Sequence, residues 1–146
     1  MKKFNFRLQT VLELRTKAFD DCQLELAKVQ NKYNQTVSHL EYLYDLLAKS
    51  KKSLEDILSK NIDFTIINCY KNYIAKLEEC IKNQHKIISD IEVELEAKKN
   101  ELLEAMKAKK MLEILKEKDL KAFHTELERQ DKLIIDEIAT NRYKKA

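Results

Sequence analysis

The chain has 146 residues and contains neither glycine nor proline, so it lacks the two residues that supply most tight turns, helix stops and left-handed backbone positions. Charged residues make up 36% of it and Lys, Glu, Leu, Ile and Ala recur throughout, a mixture that excludes a sheet-rich domain and marks long helices or a coiled coil. Its 28 basic and 25 acidic residues leave a net charge of +3 with the signs interspersed and only four arginines, which argues against nucleic acid as a partner, while 44% apolar content argues against disorder.

The first predicted helix covers about residues 3–59. Leu26, Val29, Tyr33, Val37, Leu40, Leu43, Leu47, Leu54 and Ile57 form its apolar stripe, and Leu8, Leu12, Phe19 and Cys22 extend that stripe upstream with more slack. A turn is expected at about 60–64, within Lys60-Asn61-Ile62-Asp63-Phe64-Thr65. There Asn61 can adopt the left-handed conformation that ends a helix, and Asp63 or Thr65 can cap the next one.

The second predicted helix covers about residues 65–143. Alternating steps of three and four select Ile67, Tyr70, Ile74, Leu77, Ile81, Gln84, Ile88, Ile91, Leu95, Lys98, Leu102 and Ala105, a heptad seam interrupted only by Gln84 and Lys98. Polar interruptions of this kind fix register at some cost in stability. Beyond it the spacing loosens through Leu112, Phe123, Leu127, Ile134 and Ile138.

The expected fold is all-α: a single domain, residues 1–146, formed as a two-helix antiparallel coiled-coil hairpin with an overhanging longer second helix. Residue n then faces roughly residue 125 minus n, and the helices reach about 85 Å and about 120 Å. Residues beyond about 122 have no partner within the chain, so the apolar stripe that continues there implies another protein. One uninterrupted helix dimerising in parallel is the competing architecture.

No constellation supports catalysis. His39, His85 and His124 are scattered, none lying four residues from another His or Cys, and a phosphate-cradling loop requires glycine. No cofactor, metal or catalytic residue is expected, and the reading is that the chain is not an enzyme. Cys22, Cys69 and Cys80 are odd in number; Cys69 and Cys80 would sit about 16 Å apart along one helix, too far for a disulfide. Free thiols, no apolar stretch of signal-peptide length and no membrane-spanning run fit a cytoplasmic protein without direct membrane insertion.

Three stretches, in order, resemble one family. The opening Phe4-Asn5-Phe6-Arg7-Leu8-Gln9-Thr10-Val11-Leu12-Glu13-Leu14-Arg15 is similar to the start of FliJ, the flagellar export coiled-coil protein. The segment Tyr70-Lys71-Asn72-Tyr73-Ile74-Ala75-Lys76-Leu77-Glu78-Glu79-Cys80-Ile81-Lys82-Asn83-Gln84 resembles the stretch that follows that family's turn. Glu128-Arg129-Gln130-Asp131-Lys132 with Asp136-Glu137-Ile138-Ala139 resembles its closing pattern.

The resemblance implies an antiparallel hairpin similar to the stalk of rotary ATPases. It implies three partners: the hexameric flagellar export ATPase, the FlhA export gate protein and export chaperones. It also implies a place at the cytoplasmic face of the inner membrane, at the flagellar base. Carried onto this chain, the gate-contact patch falls on Tyr73, Leu77, Cys80 and Gln84, spaced four, three and four. Leu77 and Gln84 also belong to the predicted seam, and exposure of the patch is the favoured expectation, since a polar Gln84 costs less outside the seam.

The ATPase contact is expected at the opposite end, on Arg7, Arg15, Phe123, Leu127, Arg129, Ile134 and Ile138. All four arginines lie in the terminal segments, and their planar forks suit bidentate pairing with carboxylates. The equivalent stalk of an injectisome and a generic structural coiled coil remain the alternative readings.

Overall fold

The computed structural model describes residues 2–60 and 63–145. They form two helices, α1 (Gln9–Ser59) and α2 (Phe64–Lys145), with no strand among the described residues. By contacts the chain divides into two compact units, one comprising Cys22–Glu101 and the other Met1–Asp21 with Leu102–Ala146.

The unit Cys22–Glu101 is a helical hairpin. Val29 of α1 packs on Ile91 and Leu95 of α2, with Leu26 and Tyr33 against them. Nearer the turn, Leu43 packs on Leu77 and Ile81, with Leu40, Leu46 and Leu47 alongside. These pairings run in opposite senses along the two helices, so they are antiparallel. The all-α, antiparallel expectation holds, and Tyr33 bonds Glu92 across the seam where 125 minus n puts it.

All twelve predicted seam positions from Ile67 to Ala105 are buried or half-buried, which identifies the heptad pattern as the packed stripe. No large side chain among those described is completely buried, because two helices leave the edges of a seam open to water.

Around the turn, Lys60 N–H donates to the Ile57 carbonyl oxygen at 3.2 Å as α1 ends. Asp63 then caps α2: its Oδ1 accepts the Thr65 N–H at 3.3 Å, and its carbonyl oxygen accepts the N–H groups of Ile66 and Ile67. Of the two capping candidates it is Asp63 that caps. The expectation for Asn61 lies outside the described residues.

The other unit differs from expectation at its start. Helix α1 begins at Gln9, not near residue 3. The residues before it alternate strictly: Lys3, Asn5 and Arg7 are exposed, Phe4 and Leu8 half-buried, and Phe6 buried at 5% exposure. Residues 2–6 carry no regular secondary structure and Arg7 and Leu8 form a turn, an arrangement in which Phe4 and Phe6 are covered while their neighbours stay exposed. The Gln9 N–H then closes onto the Phe6 carbonyl oxygen at 3.1 Å.

The segment before α1 changes where the unpaired part of α2 begins. Phe4 meets Phe123, and Phe123, Leu127 and Gln130 are all half-buried. The expectation that nothing in the chain packs beyond about residue 122 is therefore corrected. Uniform exposure begins at Asp131 and continues through Lys145.

Candidate protein-interaction surfaces

Near the turn, the four residues of the expected gate patch part into two pairs. Tyr73 is 45% exposed and Cys80 is exposed. Leu77 is buried at 6% exposure in the cluster with Leu43 and Ile81. Gln84 is half-buried, and its Nε2 donates to the Thr36 carbonyl oxygen of α1 at 3.0 Å. The expectation of a wholly exposed stripe is corrected for Leu77 and Gln84. The cause is register: both stand on the three- and four-step seam, whereas Tyr73 and Cys80 each precede a seam residue and look outward. Gln84 is tolerated inside because its amide finds a carbonyl partner.

The terminal unit holds the residues expected to face the ATPase, in three different situations. Arg7 and Arg15 are exposed, and among the described residues neither forms an ion pair. Arg129 is exposed but engaged: its Nε and Nη2 donate to the two carboxylate oxygens of Glu126, one turn earlier, at 2.9 and 2.6 Å. This fork holds the Glu126 carboxyl below the usual carboxylate range and raises the Arg129 guanidinium, the hydrogen bonds being the main cause in each case. Phe123 and Leu127 are half-buried, Phe123 against Phe4.

Ile134 and Ile138 are 55% and 51% exposed on the bare end of α2. Leu133 and Ile135, which the periodicity did not single out, are exposed beside them, as is Tyr143. A run of adjacent apolar residues carries no heptad phase, so only their count could have flagged them. Elsewhere in this unit α1 and α2 are joined by polar and cationic contacts. Lys116 Nζ donates to Gln9 Oε1 at 2.9 Å, and Lys109 sits 4.8 Å from the centroid of the Phe19 ring.

Aromatic exposure in the unit Cys22–Glu101 also went unread in the sequence. Tyr42 and Tyr44 are both solvent-facing; the Tyr44 hydroxyl and His85 Nε2 share a hydrogen bond of 2.8 Å, and Tyr42 stacks with His39. A shallow apolar depression of about 250 Å³ is lined by Cys69, Tyr70 and Tyr73. The three cysteines are free, Cys22 half-buried and the other two exposed. Among the described residues no group of three or more His, Cys, Asp or Glu side chains is arranged to hold a metal ion, and no helix is long and apolar enough to cross a membrane.

These surfaces are apolar and cationic stripes on helices, suited to gripping other proteins. A family model described as "Flagellar FliJ protein" matches residues 4–146. No curated protein and no solved structure matches. The family match takes in the alternating N-terminal segment, both helices and the bare end of α2, and on it the chain belongs to the FliJ family, components related to flagellar protein export.

Proposed function

We propose that the chain is a non-catalytic component of the flagellar type III export apparatus that binds the hexameric export ATPase and the FlhA export gate and escorts export chaperones at the cytoplasmic face of the inner membrane. The observation that carries this reading is the bare end of α2, where Leu133, Ile134, Ile135 and Ile138 all face solvent on a stretch, 131–145, in which every described residue is exposed. A single amphipathic helix in water is marginal, and an uncovered apolar stripe is stabilised by a partner. Arg7 and Arg15, in the same unit, supply forks for carboxylates on that partner. For the gate, Tyr73 and Cys80 offer the contact, and Leu77 and Gln84 hold the helix beneath them.

The test is ATP turnover by the same organism's flagellar export ATPase, with the full chain and with a chain lacking residues 131–146. Stimulation at near-stoichiometric amounts, lost with the truncated chain, is the expected outcome. No stimulation together with no co-elution would remove the ATPase from the function.

A further inference from the structure

The end of α2 carries a second stripe, out of phase with the residues that the rest of the chain covers. Glu128, Asp131, Ile135, Ile138, Arg142 and Lys145 follow steps of three, four, three, four and three, a heptad repeat, and all six are exposed. Leu127 and Gln130, each one residue before a stripe position, are half-buried instead. The order along the stripe is acid, acid, isoleucine, isoleucine, base, base. Turned end for end, it is its own electrostatic complement. Ile135 and Ile138, 65% and 51% exposed, form its centre.

Among the described residues none of Glu128, Asp131, Arg142 and Lys145 forms an ion pair. For Asp131, Arg142 and Lys145, no opposite charge stands three or four residues away on α2, the spacing at which side chains of one helix meet. Like charges stand at that spacing instead, Glu128 with Asp131 and Arg142 with Lys145, which disfavours a lone helix. Bases in the last turn suit the helix dipole, but the two acids lie more than three turns earlier and gain nothing from it. The other charges of this stretch stand off the stripe. Glu126 and Arg129 are engaged with each other, Lys132 lies at the stripe's edge, and Asp136, Glu137 and Lys144 are turned from it by roughly 120° or more.

We propose that two copies of the chain pair antiparallel along this stripe. Ile135 of one protomer then lies level with Ile138 of its partner, Asp131 meets Arg142, and Glu128 meets Lys145, each contact occurring twice about a two-fold axis. At the flanks Lys132 falls beside Ala139 and Ile134 beside Asn141, so no like charges are brought together. Parallel pairing would set Asp131 on Asp131 and Arg142 on Arg142. A partner surface of one sign would satisfy only half of the stripe. The pairing covers 18 residues, about 27 Å of helix, which is short for a permanent interface. It is therefore reversible, and dilute protein keeps the stripe bare. The proposal goes beyond the ATPase contact assigned to the same end of α2, and says what occupies that end when the ATPase is absent.

Sedimentation equilibrium of the full chain alone, loaded from about 10 μM to about 1 mM, is the test. The weight-average mass is expected to climb from that of one chain toward that of two. Asp131→Arg sets like charge against Arg142 at both ends of the pairing and should weaken dimerisation about ten-fold or more; Arg142→Asp should do the same. Both changes in one chain exchange the charges and should restore the dimer, whereas Lys144→Glu, off the stripe, should leave it unchanged. These positions are exposed, so circular dichroism should show the same helicity in every variant. A mass that stays at one chain throughout would overturn the proposal, as would a dimer indifferent to Asp131→Arg. So would a dimer lost in each single variant and not restored by the exchange, because the pairing would then not be antiparallel. The ATPase is absent from the cell, so the outcome is read independently of whether it binds this end.

Discussion

The Phe4 ring packs on the Phe123 ring with centroids 5.5 Å apart and planes tilted by 54°, tying a residue outside the helices to the last packed stretch of α2. An aromatic pair in this geometry contributes about 0.5–1.5 kcal/mol beyond the area it buries. Phe6, two residues on, is the more deeply buried of the two. Phe6→Ala is expected to cost about 3 kcal/mol and Phe4→Ala about 1 kcal/mol. Hydrogen exchange checks this: amides of Leu12–Thr16 lose protection in Phe6→Ala, while those around Ile91 keep theirs. Equal loss at both places would mean that the segment does not act locally.

Tyr73 and Leu77, one turn apart, are expected to respond in opposite ways. Leu77→Ala removes a buried side chain and lowers stability by about 3 kcal/mol. Tyr73→Ala changes it by less than about 0.5 kcal/mol, yet weakens binding of the FlhA cytoplasmic region. Urea unfolding followed by circular dichroism, paired with a binding titration, separates the two. A Tyr73→Ala chain that unfolds early would make that ring structural.

Gln84 stands in an apolar seam and spends its amide on the Thr36 carbonyl oxygen. That oxygen lies within α1, so replacing Gln84 with Leu leaves no bare helix end behind. Gln84→Leu is expected to raise the melting temperature, gaining about 1 kcal/mol from apolar contact over the lost hydrogen bond. A lowered melting temperature would show that the amide contributes more than a leucine there.

Glu126 should titrate below the ordinary glutamate value, because the Arg129 fork stabilises its charged form. A carboxyl lowered in the folded state adds stability that is complete above its unfolded value and is lost as pH falls through the lowered folded value. The pair is fully exposed, so salt screens its charge attraction. Carboxyl NMR titration at low and high salt is the measurement. In Arg129→Gln the Glu126 midpoint should rise toward the ordinary carboxylate value, and an unmoved midpoint would mean that the fork does not operate in solution.

Much of this fold could be read from the sequence because its rule is repetitive. A three- and four-residue step sustained over twelve positions leaves one stripe to bury, and each of those residues packs. The predicted helix starts too early: Leu8 and Leu12 suit a helix, whereas Phe4 and Phe6 lie before its start at Gln9. The alternation Lys3-Phe4-Asn5-Phe6-Arg7-Leu8 was the contrary signal, with a period of two. The interaction surfaces were harder to read. Tyr73, Leu77, Cys80 and Gln84 share a helix side at coarse spacing, and a phase difference of one residue separates the members that face α1 from those that face water. Sequence offers Arg129 as a free fork, but Glu126, one turn back, engages both of its donors.

The segment before α1 makes the protein a competitor for part of its own α2. Any partner that grips Phe123 must first lift Phe4 away, and the free energy of that release is subtracted from the partner's affinity. Residues 131–145 carry no such charge against binding, so an incoming protein engages them first and reaches Phe123 only if it binds tightly enough to displace the chain's own N-terminal residues. Residues 2–8 thereby set how much of α2 a weak binder can use, and their removal by a protease would lengthen the foothold at the cost of the packing and hydrogen bonds that Phe6 and Leu8 give the start of α1.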